Sequence, residues 1–268
     1  MAMASFADSI WQETFNYTNG AISITSTNGA VAPALTNWIT HSGALDAFVN
    51  NRRLEVNSSS ANGGLAVTRT GDINRQFSTT NNSVYTNTHQ LIYASFIVNF
   101  TNLPTANGAH FAHFKAGTPT SSTFQGRLWA LIGNPAQTTN NFTTQANTFR
   151  LGVSQAGNSP NKTLGVDLAL NTDYQVVMGW DPVTLTASTL WVNPIAASDA
   201  SVTTSDTFTP SAANIANSFA FRQASGFGAF LTVSNVTIAT TFLEALTTMW
   251  TVSLVRSGPC LMAFSTKG

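Results

Sequence analysis

The sequence predicts an all-β domain, a two-sheet antiparallel sandwich of the jelly-roll type. Apolar and polar residues alternate over many short runs, turn residues cluster between those runs, and helical periodicity is almost absent. A content of 43% hydrophobic residues, 10% of the chain being aromatic, is ample for the core between two such sheets.

The clearest strand starts at Tyr93, where Tyr-Ala-Ser-Phe-Ile-Val-Asn-Phe sets Ala94, Phe96, Val98 and Phe100 on one face. The same period of two recurs over Ala109–Lys115, Phe124–Ile132, Thr148–Ser154, Tyr174–Trp180 and Thr189–Asn193. Turn clusters separate them at Leu103–Gly108, Gly117-Thr118-Pro119, Gly157-Asn158-Ser159-Pro160 and Asp181-Pro182. Phe242–Thr248 and Asp199–Asp206 are the two places where a turn of helix is expected. Trp38 and Trp180 are assigned to the core.

Residues 57–64 and 134–147 are low-complexity, but strand patterns continue on both sides, so they read as loops. One domain is expected over residues 5–243, with a C-terminal tail over 244–268. In the tail, Trp250, Val252 and Leu254 alternate with Thr251, Ser253 and Val255 as in a strand with one apolar face. Such a strand is expected to join a sheet edge of its own domain, to stay unordered, or to join the edge of a neighbouring copy, the last case giving a homo-polymer. Phe242–Phe264 is interrupted by Glu244, Arg256 and Gly258-Pro259 and falls short of a membrane span.

Charge excludes whole classes of partner. Charged residues make up 8% of the chain against ~25% in an average soluble protein, and eleven basic residues balance eleven acidic ones. Nucleic acid binding depends on neutralising phosphates, so no nucleic acid partner is expected. A Ser-, Thr- and Asn-rich surface fits a secreted or cell-surface protein. Ala2-Met3-Ala4 matches the end of an export signal. The single cysteine, Cys260, rules out an internal disulfide and reads as a small hydrophobe in a terminal segment.

No cofactor or metal set is legible. There is no Gly-x-Ser-x-Gly elbow, and Gly71-Asp72-Ile73-Asn74 reads as a turn rather than a calcium loop. No run of carboxylates alternates along a strand, so a hydrolase would need a dispersed pair such as Glu55 with Asp72. His110 and His113, at i and i+3, are expected on opposite faces of their strand, unable to share an ion. His113 and Lys115 share a face, as a general base and a cation would in a lyase. The richest constellation is a polar-aromatic face of Arg127, Trp129, Arg150, Ser154, Gln175, Trp191 and Asn193, where indoles would stack on sugar rings and the polar groups would meet hydroxyls. Arg127, Trp129, Arg150, Gln175, Trp191 and Asn193, with His113 and Lys115, form the candidate ligand-binding set.

Phrases in order, from Phe15-Asn-Tyr-Thr-Asn-Gly20 and Asn37-Trp-Ile-Thr-His-Ser-Gly43 through Gly108-Ala-His-Phe-Ala-His-Phe114, Leu190-Trp-Val-Asn-Pro194 and Val236-Thr-Ile-Ala-Thr-Thr-Phe242, resemble the LamG-like, concanavalin A-like jelly-roll proteins exported by environmental bacteria of planctomycete and verrucomicrobial type. The resemblance covers most of residues 6–243. It implies two curved antiparallel sheets, a secreted location and, in some members, glycan binding on the concave face. The acidic residue that the family often carries in its last strand is replaced by Ser234-Asn235, which argues against the family's structural calcium. The sorting tail that many members carry is also missing after Glu244. The function expected from all of this is a non-enzymatic glycan-binding module. Alternatives are a subunit of an extracellular fibre or surface layer, and a polysaccharide lyase or glycoside hydrolase with dispersed catalytic residues.

Overall fold

The structure is a computed structural model that describes residues 9–22, 37–43, 47–56, 61–62, 65–66, 71–77, 91–116, 123–181, 187–206, 216–224, 226–247, 250–257 and 260–267. The expected turn at Gly117-Thr118-Pro119, the motif Ala2-Met3-Ala4, Pro182, Thr248 and part of the 57–64 loop lie outside those residues.

In chain order the first strands are β1 (Trp11–Glu13), β2 (Gly20–Ala21), β3 (Ile39–Ser42), β4 (Phe48–Asn50), β5 (Arg53–Val56), β6 (Ala61–Asn62), β7 (Leu65–Ala66) and β8 (Asp72–Gln76). The long central strands follow: β9 (Ile92–Phe100), β10 (Ala109–Ala116), β11 (Thr123–Leu131) and β12 (Thr148–Ser154). Then come β13 (Lys162–Thr163), β14 (Leu168–Ala169), β15 (Asp173–Trp180), β16 (Ser188–Val192), β17 (Ser201–Thr203), β18 (Ala216–Phe221) and β19 (Leu231–Ala239). Helix α1 (Phe242–Thr247), the single helix among the described residues, precedes β20 (Trp250–Ser257) and β21 (Cys260–Lys267).

Two antiparallel sheets form the sandwich expected from the sequence. The first runs β17-β16-β15-β9-β19-β5-β4-β2, with β1 also on β19. The second runs β13-β12-β11-β10-β18-β8-β3, with β14 on β12. Ala94, Phe96, Val98 and Phe100 of β9 are fully buried in the core, as their alternation predicts. They meet the second sheet through rings: Phe96 lies 5.5 Å from Phe221, and Phe100 lies 4.2 Å from Phe149. Trp38 and Trp180 are fully buried in the same core.

A smaller cluster of Tyr93, Val177, Trp191, Phe242 and Leu246 covers the outer face of the first sheet. These β9 and β15 residues have the opposite parity to their core neighbours, so they point away from the second sheet. Helix α1 forms where expected because Phe242 and Leu246, one turn apart, both land on that patch. Asp199–Asp206 differs from expectation. Its centre is β17, paired along β16 (Leu190 opposite Val202), so edge pairing prevails over any local helical tendency. The tail also differs. β20 pairs with β21 over eight residue pairs, from Trp250↔Lys267 to Ser257↔Cys260, and among the described residues it joins neither sheet of the sandwich. A nearby partner of matching length in the same chain takes up the hydrogen bonds that were expected to go to a sheet edge. No helix among the described residues is long and apolar enough to cross a membrane.

Candidate active site

The site is built by two irregularities in adjacent strands. Along β10, His110 pairs with Trp129 but Ala112 pairs with Leu128, so Phe111 is an extra residue. Phe111 and Ala112 consequently both enter the core, and His110 and His113 both turn to the outer face of the second sheet. Their ring centroids are 5.5 Å apart. The expectation that they lie on opposite faces is overturned, because it assumed an unbroken period of two. Along β11 the compensating step is at Gly126 (φ 52°), between the pairs Ala112↔Leu128 and Phe114↔Gln125. Phe124 and Arg127, three residues apart, thereby share the outer face, with the guanidinium carbon 6.0 Å from the ring centroid.

The neighbouring strands complete the face. β3 supplies His41, whose ring is 6.1 Å from His113 and 5.9 Å from Phe124. β8 supplies Asn74, fully buried, whose Nδ2 lies 3.1 Å from His41 Nδ1 and 3.2 Å from the Ile39 carbonyl. Arg222 follows β18, close enough to both His110 and His113 to depress their basicity. Trp129 lies 5.2 Å from His110 and donates from Nε1 to Ser154 Oγ at 2.9 Å. Lys115, two residues from His113, is fully buried beside them.

Four imidazole nitrogens in this cluster are buried with no hydrogen-bond partner among the described residues: His41 Nε2, His110 Nε2 and both nitrogens of His113. Buried polar atoms are normally paired, so a concentration of orphans marks a place prepared for something else. The same burial keeps the rings neutral. Desolvation, then the charge of Lys115, lowers His41 from 6.5 to about 4. Desolvation, then Arg222 and Arg127, lowers His110 to about 2. His113 is pushed well below its ordinary value by desolvation first, then by His110, His41 and the two arginines. Burial lowers Lys115 to about 8. The flanking acids are committed elsewhere. Asp206 accepts from the backbone of Gln155, Ala156 and Gly157, and Asp72 accepts from Ser42 Oγ and the Gln223 backbone.

Of the eight residues read from the sequence as ligand-binding, five lie on this outer face: His113, Lys115, Arg127, Trp129 and Arg150. Arg150 stands at its far end, bound to Asp167 at 2.5 Å and stacked on Phe142. Gln175, Trp191 and Asn193 belong to the other sheet, on or beside its own outer face. There Gln175 Nε2 reaches Ser95 Oγ and Asn193 Oδ1 accepts from the Gln175 backbone. Trp191 is 7% exposed, 5.0 Å from Phe242, with Nε1 donating to the Ala197 carbonyl. The single face with two indoles therefore does not form. Alternation tells which side of its own sheet a residue takes, not which sheet the strand joins. Glu55 and Asp72 also stand in different sheets, with Gln223 donating from its backbone N–H to Asp72 Oδ1 and from Nε2 to the Glu55 carbonyl.

Ser234 and Asn235 line an open polar cleft of about 400 Å³ with Thr14, Asn16, Asn51, Arg52 and Arg53. Among the described residues no three His, Cys, Asp or Glu side chains are placed to hold a metal ion.

No family model and no curated protein matches this sequence. Solved structures similar to it include alginate lyase Aly36B in complex with an alginate tetrasaccharide, at 14% identity and a TM-score of 0.46, covering 85% of this chain and 95% of that one. Others are an alginate lyase from Pseudomonas aeruginosa (11% identity, TM-score 0.38, 69% and 80% covered) and a Trypanosoma rangeli sialidase (14%, 0.40, 82% and 33%). The expectation of a non-enzymatic glycan-binding module is corrected, because the indole face on which it rested is divided between two sheets.

Proposed function

We propose that this chain is a polysaccharide lyase that cleaves an anionic, uronate-containing glycan by β-elimination on the outer face of the second sheet. The observation that carries the proposal is the set of four buried imidazole nitrogens, without partners among the described residues, lying among Lys115, Arg127 and Arg222. Elimination needs a base for the C5 proton, positive charge or donors on the neighbouring carboxylate, and a proton for the leaving oxygen. A neutral His113 has a lone pair to take the C5 proton. As the C5–H bond breaks, a C4–C5 double bond forms, the C4–O bond breaks, and the leaving oxygen takes a proton from Lys115. The arginines offset charge that builds on the carboxylate. A bound uronate also raises the depressed basicity of His113, because its negative charge offsets the cations that lower it.

The partner in this reading is a polymeric glycan met outside the cell, in keeping with the low charge and hydroxyl-rich composition. The test is incubation of the purified chain with alginate, polygalacturonate and hyaluronan while following the ultraviolet absorbance of unsaturated uronate ends. Rising absorbance that is lost in His113→Ala supports the reading. New reducing ends without absorbance would make the protein a hydrolase, and neither signal on any polymer would sink the proposal.

A further inference from the structure

We infer that His41 serves the site as a neutral hydrogen-bond donor to the substrate carboxylate, held in its Nε2–H tautomer by Asn74 as a positioning residue. The assignment of a donor role rests on the lyase reading; the assignment of the tautomer does not. Asn74 Nδ2 lies 3.2 Å from the Ile39 carbonyl oxygen, which can only accept, so the amide must turn its NH₂ group that way. The second proton of the same nitrogen meets His41 Nδ1 at 3.1 Å. Nδ1 therefore presents its lone pair, and a neutral ring carries its one proton on Nε2.

That Nε2–H is buried with no acceptor among the described residues. It belongs to a ring standing edge-on to His113, at 6.1 Å and 89°. The two imidazoles are thus different tools. Neither nitrogen of His113 has a partner among the described residues, so that ring is able to accept a proton, whereas the bond to Asn74 fixes His41 as a donor. A neutral imidazole donor suits an oxygen whose charge grows during the reaction, because it needs no proton transfer of its own. The substrate oxygen that gains charge as C5 is deprotonated is that of the adjoining carboxylate.

The test uses the full chain and two readouts. Long-range ¹⁵N–¹H spectra at neutral pH should show His41 protonated at Nε2 and bare at Nδ1. Asn74→Asp, nearly isosteric, replaces the donor with an acceptor, so the ring should switch to Nδ1–H and kcat on the cleaved polymer should fall about 100-fold, with KM little changed. His41→Gln, which keeps an N–H donor, should retain more activity than His41→Leu. A wild-type Nδ1–H tautomer, or a switched tautomer in Asn74→Asp with unchanged kcat, overturns the inference while leaving the lyase reading in place. A wild-type Nε2–H tautomer in a protein that cleaves none of the polymers overturns the lyase reading and the donor role with it.

Discussion

His110 and His113 are three residues apart on one strand, yet their rings meet 5.5 Å apart on one face of the sheet. In a regular strand they would be on opposite sides, one of them in the core. The extra residue Phe111 reverses the parity between them. One bulge therefore does two things: it adds a ring to the core and a second imidazole to the outer face.

Burying His113 with both nitrogens unpartnered among the described residues costs stability that an apolar residue of similar size would not. His113→Leu is therefore expected to abolish cleavage while leaving the urea midpoint unchanged or raised. A loss of stability above about 1–3 kcal/mol would mean that the ring nitrogens are paired in solution, since that is what stranding their partners would cost.

The same burial makes the fold sensitive to acid. His41, His110 and His113 bind protons less readily folded than unfolded, so below pH 6.5 the unfolded chain takes up more protons and stability falls. Their contribution is complete above pH 6.5 and is lost progressively toward about 4 for His41 and about 2 for His110. Urea midpoints measured between pH 7.5 and 5, roughly a unit to either side of the ordinary His value, should decline, with a shallower slope in His113→Leu. Equal slopes for the two proteins would contradict the assignment.

Much of the sandwich is legible because its core strands keep strict alternation, as Ala94, Phe96, Val98 and Phe100 do. The site is less so, since it is made where alternation fails. Two signals were present: adjacent apolar residues Phe111 and Ala112 between two histidines, and Gly126 inside a strand. His41, Asn74, Phe124 and Arg222 carry no such mark. They enter the site through the β3-β8-β18-β10-β11 order of the sheet, which no local pattern specifies.

Trp191 is expected to be structural. Its ring contacts Phe242 and approaches Tyr93, and a Cβ placed on Gly179 would lie 3.3 Å from it. Trp191→Ala should cost about 3 kcal/mol through the cavity it leaves under α1, with kcat on the polymer unchanged at temperatures where the variant stays folded. A stable variant with weakened substrate binding would return Trp191 to the binding surface.

Glu13 ties the two sheets together. It comes from β1 and accepts from Arg75 of β8 at 3.1 Å, Trp38 Nε1 at 3.1 Å, Tyr17 Oη at 2.7 Å and the Phe15 backbone at 2.7 Å. Arg75 is held from its other side by Trp11, 4.6 Å beneath its guanidinium. Glu13→Ala would leave a largely buried guanidinium unpaired, and about 3–5 kcal/mol of stability should be lost in chemical denaturation. Replacing both partners with apolar residues should cost much less than the single change, because no charge is then stranded.

Gly126 carries the bulge that brings Phe124 and Arg127 together, and its φ of 52° lies in the left-handed region that residues with a Cβ avoid. A Cβ there would also sit 3.0 Å from Phe114 Cδ2 and 3.0 Å from Ser188 Oγ, and 3.3 Å from Trp180 Cδ1. Phe114 and Trp180 are fully buried core rings, and the Ser188 hydroxyl donates to Gln155 Oε1, so none of the three is free to retreat. Backbone strain of about 1–2 kcal/mol, with crowding in addition, should make Gly126→Ala destabilising by about 2–3 kcal/mol. The chain has a second way to respond, which is to straighten β11 and remove the bulge. That would move Phe124 to the core side and draw its ring away from His113, now 4.2 Å off. Activity should then fall further than the loss of folded protein explains. Comparing kcat per folded molecule with the urea midpoint separates the two effects: a Gly126→Ala variant with lowered stability but full kcat would show that the bulge serves the core alone.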